Sequence, residues 1–209
     1  MAEFIAIHPE NPQPRLIARV VDRLRQGAVI VYPTDSCYAL GCHLDDKAAA
    51  DRLRVIRQFD KHHLFTLVCR DLSDIAHYAR VDNRQYRMLK ATTPGPTTFV
   101  LQATKQAPRR LQHEKRKTIG LRVPDSPIVQ AMLGQLGDAM SSCTLGLPPD
   151  DEPVSHPDDV RDQLDKLVDV VVEGGDCGVE PTTVIDWSGE LPVIARPGKG
   201  AAEWEERIV

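Results

Sequence analysis

The apolar residues of the chain fall into two patterns that predict two kinds of secondary structure. Short runs rich in Val, Ile, Leu and Thr, bounded by Gly, Pro or Asp, are typical of strands buried in a sheet. Such runs predict strands at residues 3–7, 28–32, 64–69, 97–103, 118–123, 139–144, 168–172, 182–186 and 191–196. A sheet of many short strands is therefore the main expected element.

The second pattern places apolar residues three or four positions apart and predicts helices. The stripe from Leu16 to Leu24 is the clearest case, and Gly27 follows it as a C-terminal cap. Further helices are predicted to begin at Asp45 or Asp46, at Asp71, at Asp82, at Asp125 or Ser126 with Pro127, and at Pro157, the last one running to Leu167. Because strands and helices alternate without the repeat of a doubly wound fold, we expect one α/β domain, a twisted mixed β-sheet flanked by helices. This single domain spans residues 1–209, with its core at about 13–200.

The stretch from Gly27 to Cys42 changes character abruptly. Its buried strand ends at Pro33, and the small oxygen-bearing residues Thr34, Asp35 and Ser36 follow before the apolar pattern resumes. One interpretation is an ordinary turn in which Asp35 caps a neighbouring element. The other is a ligand-binding crevice, because α/β proteins hold ligands where a buried strand empties into a polar turn.

Composition narrows the function classes. The 209 residues carry a net charge of −4, which gives no overall attraction to nucleic acid. No apolar run reaches roughly 18 residues and no signal peptide is evident, so we expect a cytoplasmic protein without a membrane partner. The five cysteines include no C-x-x-C pair, which predicts reduced thiols, with Cys37 packed and inert. His62 and His63 are predicted to be an exposed loop pair, and no metal site is assigned.

Hydroxyl and arginine side chains gather at the ends of the predicted strands. Two of the arginines, Arg122 and Arg196, stand inside or at the end of apolar runs. A buried guanidinium needs either a paired carboxylate or an anionic ligand, since burying it alone is very costly. Both alternatives stay open, because the chain has 30 Asp and Glu residues and because the guanidinium fork also suits phosphate and carboxylate ligands.

A basic segment lies between residues 105 and 117. It contains Lys105, Arg109, Arg110, Lys115, Arg116 and Lys117. Such a segment is either a solvated face or a contact for phosphate or an RNA backbone. It has no interleaved aromatic residues, so base stacking is not indicated there.

Five short motifs together resemble one known family. Residues 28–41 resemble the signature P-T-E-T-x-Y-G-L-G of the YrdC-like family, the threonylcarbamoyl-adenylate synthases. Residues 94–98 are similar to its P-G-P-x-T, 118–124 to x-x-x-x-R-x-P, 182–186 to S-T-V-V-D and 195–198 to L-R-x-G. The segments RDLSDIAHYA, EKRKTIGLRVP and PTTVIDW are closest to the YciO branch of this family.

The resemblance implies a concave, positively lined cavity and a nucleotidyltransferase reaction. In it, L-threonine and bicarbonate give a carbamate that attacks the α-phosphate of ATP, forming threonylcarbamoyl-AMP and pyrophosphate for tRNA threonylcarbamoyladenosine modification. Such a reaction requires positioning and electrostatics rather than a protein nucleophile. The resemblance implies Mg²⁺ accompanying ATP, no tightly bound cofactor, and structured RNA or tRNA as a further partner.

The resemblance also implies roles for individual residues. Ser36, Arg122, Ser142 and Thr182 fall at threonine-contacting positions, and Arg57, Thr118, Thr144 and Arg196 at nucleotide-contacting positions. Two departures predict a weak or divergent synthase. Val55 replaces the lysine of the family's K-x-R, and Gly146 replaces the asparagine of its S-x-N.

Two alternatives to this synthase stay open. One is a protein that binds double-stranded RNA or the ribosome through Lys115, Arg116 and Lys117, without efficient synthase activity. The other is a carbamoyl-adenylate activity with a different acceptor or amine, because the sequence does not determine the amine.

Overall fold

The computed structural model describes residues 1–60, 63–147 and 152–208. Within these ranges the strands are β1 (Glu3–Ala6), β2 (Ile30–Tyr32), β3 (Ala39–His43), β4 (Thr66–Val68), β5 (Thr97–Gln102), β6 (Thr118–Arg122), β7 (Met140–Thr144), β8 (Gly146–Leu147), β9 (Glu152–Pro153), β10 (Val170–Glu173), β11 (Thr183–Asp186) and β12 (Val193–Arg196). The helices are α1 (Pro14–Arg25), α2 (Lys47–Ile56), α3 (Leu72–Tyr78), α4 (Asn83–Thr92), α5 (Pro127–Leu136), α6 (Pro157–Leu164) and α7 (Ala201–Ile208). Every predicted strand and helix is present, and β3, β8, β9 and α7 are additional.

Side-chain caps fix where the helices begin. The carboxylates of Asp46, Asp71 and Asp82 accept backbone N–H groups at the starts of α2, α3 and α4, as the sequence predicts. Ser126, rather than its neighbour Asp125, caps α5. The sixth helix was predicted to run to Leu167 but ends at Leu164.

Ten strands form one mixed sheet in the order β1-β10-β2-β3-β7-β4-β6-β5-β11-β12. The pairs β1/β10, β10/β2, β4/β6 and β5/β11 are parallel, and the remaining neighbours are antiparallel. Strands β8 and β9 form a separate pair. Among the described strands β1 pairs only with β10, so the beginning of the chain joins the sheet through a strand from late in the sequence.

The sheet separates two hydrophobic cores. Ile30 and Tyr32 of β2 enter the core beneath α1 and α5, whereas Val31 and the preceding residue, Val29, enter the core on the opposite face. Successive side chains of a strand point to opposite faces, so a run of apolar residues without alternation serves both cores. This confirms the prediction that the strand is buried on both sides.

Helices α1 and α5 cover only part of their face of the sheet. The core beneath them takes residues from β1, β10, β2, β3, β7 and β4, but none from β5, β6, β11 or β12. Those four strands therefore leave a stretch of the same face uncovered. The uncovered stretch is where the predicted site residues gather.

Candidate active site

A cavity of about 440 Å³ lies on the part of the sheet that α1 and α5 leave uncovered. Its walls come from the central strands and from the turn after β2. All eight side chains predicted to contact threonine or nucleotide line it: Ser36, Arg57, Thr118, Arg122, Ser142, Thr144, Thr182 and Arg196. Their roles in binding stay predictions.

Strand register explains why residues so distant in sequence converge. On β6, Gly120 and Arg122 line the cavity, whereas Leu121 between them enters the opposite core. Gly120 lies opposite Thr66 of β4, and Thr66 lies opposite Ser142 of β7. The alternation of side chains along three adjacent strands thus brings these residues to one wall, which Ile119 of β6 and Cys143 of β7 also reach.

The turn after β2 is held by its own hydroxyls. Thr34 Oγ1 donates to the carbonyl of Cys37 at 2.7 Å and accepts the backbone N–H groups of Ser36 at 3.1 Å and Cys37 at 3.3 Å. The hydroxyl oxygens of Thr34 and Ser36 lie 3.0 Å apart. This bonding fixes Ser36 at the cavity wall, where only 1% of the residue is exposed.

Arg122 is paired within the protein. Its guanidinium donates to the carboxylate of Asp35 from the same turn, and the two side chains are 9% and 12% exposed. Of the two interpretations of this turn, the one in which Asp35 caps a neighbouring element does not describe the structure, because the Asp35 carboxylate pairs with Arg122. Arg122 Nε and Asp35 Oδ2 are buried without hydrogen-bond partners among the described residues, so the pair keeps one donor and one acceptor unused.

Arg196 is held differently. Its guanidinium donates to the backbone carbonyl of Thr182 at 3.0 Å and to the hydroxyl of the same residue at 3.3 Å. Thr182 Oγ1 also lies 3.0 Å from Thr98 Oγ1. Arg196 is exposed, so the expectation of a buried guanidinium is wrong at this position, and water solvates the charge although no carboxylate pairs with it in the part of the chain that the structure describes.

The hydrogen-bond partners of the Ser142 hydroxyl fix which group donates and which accepts. It donates to the carbonyl of Leu40 at 2.9 Å and lies 2.6 Å from the phenol oxygen of Tyr32. Because a hydroxyl has a single hydrogen, Ser142 accepts from Tyr32 and presents only an acceptor lone pair to the cavity. Burial raises the pKa of Tyr32, which keeps this phenol protonated and donating.

Thr118 contributes an unsatisfied group. Its residue is fully buried, and its Oγ1 has no hydrogen-bond partner within the described ranges. A buried hydroxyl without a partner costs about 1–3 kcal/mol, so a ligand that supplies the partner gains that amount.

The thiol beside Ser36 is inert. Cys37 lines the cavity, and burial raises its pKa, although hydrogen bonds from Ser36 and Thr144 and the charge of Arg122 act in the opposite direction. A thiol with a raised pKa stays protonated at neutral pH and is a poor nucleophile. The structure thus agrees with the predicted packed thiol.

The basic segment reaches the cavity at one residue. Arg116 lines it and pairs with Asp186, with 2.7 Å between nitrogen and oxygen. Lys115 and Lys117 are exposed and lie outside the lining. Contact of these three cations with RNA stays a prediction.

Sequence reasoning missed the aromatic part of the cavity. Phe59, His63 and Phe65 belong to its lining, as does Tyr32. His63 was predicted to be exposed but is half-buried, because its ring stacks on Phe59. His62 lies outside the described residues. Neither a motif nor a periodic spacing marks these rings in the sequence.

Gly198 closes the wall that carries Thr182, and replacing it with alanine should disrupt that wall. An added Cβ would overlap the carbonyl oxygen of Pro181 and come within 2.8 Å of the Thr182 carbonyl. We expect Gly198→Ala to lower the free energy of unfolding by about 1–3 kcal/mol, as overpacking does, measured by denaturant titration. Gly134→Ala is the matched control, because a Cβ there meets nothing within 4 Å and adds helix propensity. Equal stability of the two variants would contradict this expectation.

Neither a metal cluster nor a membrane span is found where the chain is described. No three His, Cys, Asp or Glu side chains of residues 1–60, 63–147 and 152–208 are grouped closely enough to hold a metal ion. No helix in those ranges is long and apolar enough to cross a membrane. The cytoplasmic location stays a prediction.

Comparison with known proteins identifies the family. The family model Sua5_yciO_yrdC, described as "Telomere recombination", matches residues 22–198. The protein YciO of Escherichia coli is 52% identical over 200 residues, covering 96% of this chain and 97% of YciO. A threonylcarbamoyl-AMP synthase of Vibrio vulnificus is 31% identical over 161 residues, covering 76% of this chain and 86% of the synthase.

Solved structures confirm the fold. The crystal structure of E. coli YciO matches with a TM-score of 0.91, covering 95% of this chain and 97% of YciO. The structure of P. abyssi Sua5 complexed with L-threonine matches with a TM-score of 0.89 at 21% identity, covering 99% of this chain and 60% of Sua5. The predicted α/β domain with a mixed sheet flanked by helices is confirmed, and the chain belongs to the Sua5/YciO/YrdC family.

Proposed function

We propose that this protein binds ATP, L-threonine and bicarbonate in the cavity and forms threonylcarbamoyl-AMP and pyrophosphate. The observation that carries the proposal is the convergence of all eight predicted side chains on one cavity. The 31% identity to a threonylcarbamoyl-AMP synthase supports the same reaction. The product would serve the modification of tRNA adenosines, as the family resemblance implies.

The lining suits a reaction between anions. A carbamate oxygen attacks the α-phosphorus of ATP, and the bond from that phosphorus to the pyrophosphate oxygen breaks. Negative charge accumulates around the phosphorus, where guanidinium groups stabilise the transition state more than the ground state. Arg57, Arg116, Arg122 and Arg196 line the cavity, and no acidic side chain does so among the described residues.

The threonine end of the proposal rests on Ser142 and Arg122. Ser142 presents an acceptor, which suits the N–H groups of an amine. Arg122 retains an unpartnered Nε that can donate to a carboxylate even while Asp35 holds another nitrogen of the guanidinium. Threonine therefore competes only partly with the internal ion pair.

The metal of the proposed reaction would arrive with the nucleotide. Mg²⁺ prefers carboxylate oxygens when a protein holds it directly. The described lining offers hydroxyls and guanidinium groups but no carboxylate, so it does not form a resident Mg²⁺ site. We therefore assign Mg²⁺ to the phosphates of ATP, as part of the substrate.

The proposal is tested by omitting each substrate in turn. Protein incubated with MgATP, threonine and bicarbonate is expected to release pyrophosphate and to form an adenylate of the mass of threonylcarbamoyl-AMP. Leaving out threonine or bicarbonate should abolish both signals. Gly134→Ala serves as a control variant that leaves the cavity unchanged. Absence of the adenylate at high protein concentration would refute the proposal, and formation of a different carbamoyl-adenylate with another amine would show that threonine is not the substrate.

A further inference from the structure

The ion pair of Arg122 and Asp35 connects the cavity to a carboxylate that lies outside its lining. Arg122 lines the cavity, whereas Asp35 does not. Both side chains are largely buried, and among the described residues Asp35 is the only hydrogen-bond partner of the Arg122 guanidinium. The guanidinium that the proposed function assigns to a ligand carboxylate therefore already holds a carboxylate of the protein itself.

The backbone around Asp35 is held from three sides. The ammonium group of Lys199 donates to the backbone carbonyl of Asp35. The hydroxyl of Thr34 accepts the backbone N–H groups of the two residues that follow Asp35. Gly178 packs so closely on this turn that an added Cβ would lie 2.6 Å from the carbonyl oxygen of Ser36. The carboxylate is therefore a built part of the site and is in place before any ligand binds.

A carboxylate in this place changes how strongly Arg122 attracts a second anion. The ligand carboxylate is attracted by the guanidinium but repelled by the Asp35 carboxylate bonded to it, and both effects are strong where water is excluded. A molecule whose only recognition feature is a carboxylate therefore gains little at Arg122. A molecule that also carries an amine gains a second contact, because Ser142 presents a hydrogen-bond acceptor to the same cavity.

We propose that Asp35 determines specificity as an internal counter-anion of Arg122. It keeps simple carboxylates off the guanidinium and admits a carboxylate whose molecule makes further contacts in the cavity, as an α-amino acid does. The identity of that molecule rests on the proposed function, whereas the exclusion of simple carboxylates rests only on the buried pair. Asp35 acts through the charge of Arg122 and needs no contact with the ligand.

Three probes test the proposal by calorimetry on the full chain: acetate as a simple carboxylate, L-threonine, and L-threoninol, which lacks the carboxylate. We expect Asp35→Asn to lower the Kd of acetate and of threonine about tenfold and to leave that of threoninol unchanged. Asp35→Glu keeps the charge and should match the unmodified protein. Asp186→Asn is the matched control, because it makes the same change beside Arg116, a lining arginine whose pair is half-exposed, and should alter these Kd values far less.

The other outcomes are equally decisive. If Asp35→Asn weakens threonine binding or leaves acetate binding unchanged, Asp35 only orients the guanidinium and the proposal is overturned. Equal tightening of threonine and threoninol would also overturn it, because the effect would not act through the ligand carboxylate. If no variant binds threonine but Asp35→Asn alone binds acetate, the counter-anion stands and the proposed threonine site falls.

A melting experiment covers the case in which Asp35→Asn folds poorly because Arg122 has lost its buried partner. Acetate added at constant ionic strength should then raise the melting temperature of Asp35→Asn, since it replaces the missing carboxylate. It should leave the melting temperatures of the unmodified protein and of Asp186→Asn unchanged. If acetate raises the melting temperatures of all three proteins alike, or of none, Asp35 does not keep carboxylates off Arg122.

Discussion

Replacing Arg122 with alanine is expected to abolish threonine-dependent pyrophosphate release and to lower the free energy of unfolding by about 3 kcal/mol. The two losses have different causes. The first follows because Arg122 is the guanidinium assigned to the threonine carboxylate in the proposed reaction. The second follows because the variant leaves Asp35, whose side chain is only 12% exposed, as an unpaired charge. Substrate-omission assays measure the first loss and denaturant titration measures the second.

A second substitution separates these two effects. Arg122→Ala combined with Asp35→Ala should recover most of the free energy of unfolding, because no unpaired carboxylate remains, but should not recover activity. Arg116→Ala is the control for losing an arginine of the lining, and its half-exposed pair with Asp186 should contribute less than about 1 kcal/mol. If Arg122→Ala lowers the free energy of unfolding no more than Arg116→Ala does, the buried pair of Arg122 and Asp35 contributes nothing to stability. If pyrophosphate release by Arg122→Ala still depends on threonine, another residue binds the threonine carboxylate.

Sequence reasoning succeeded where the cause of a feature is local. The start of α4 depends on Asp82 and on Gln85, which form a capping box within one turn of helix. The wall on β6 depends on alternation along a few residues, and Arg122 is conspicuous because it interrupts an apolar run. Signals of this kind are complete within a short window, so they can be recognised without knowing the fold.

The features that sequence reasoning missed depend on partners that are distant in the chain. Asp35 is one of 30 acidic residues, and only the fold brings it to Arg122, which is 87 positions away. Helix α7 depends on Trp204, whose indole donates to Thr97 of β5 and packs edge-to-face on Phe99. Its eight residues show no long amphipathic stripe. Tertiary contacts, rather than propensity, therefore determine this element.

Installing the two family residues that this chain lacks is expected to raise the rate of adenylate formation. The double variant Val55→Lys with Gly146→Asn should increase kcat by about two to four orders of magnitude, since one positioned electrostatic contact contributes about 10²–10³. Val55 lies in the last turn of α2, two residues before Arg57 in the cavity lining, and 76% of it is exposed. A lysine there causes no crowding, and its long flexible stem allows the ammonium to approach bound phosphates.

The second position adds an amide rather than a charge. Gly146 is buried in β8, two residues beyond Thr144, which lines the cavity. An asparagine supplies both a donor and an acceptor for a nucleotide at that edge. The gain should appear in kcat with little change in the Kd of threonine, because both substitutions act on the nucleotide side. Single-turnover adenylate formation by the single and double variants measures it.

Uncharged counterparts of both substitutions show whether charge and amide are the cause. Val55→Gln lengthens the side chain without a cation, and Gly146→Ala adds bulk without an amide, so neither should raise the rate. Tyr86→Lys adds the same charge at an exposed site outside the cavity and should also leave the rate unchanged. If Val55→Gln matches Val55→Lys, the lysine acts through packing rather than charge. If the double variant is no faster than the unmodified chain, these two positions do not limit the proposed reaction.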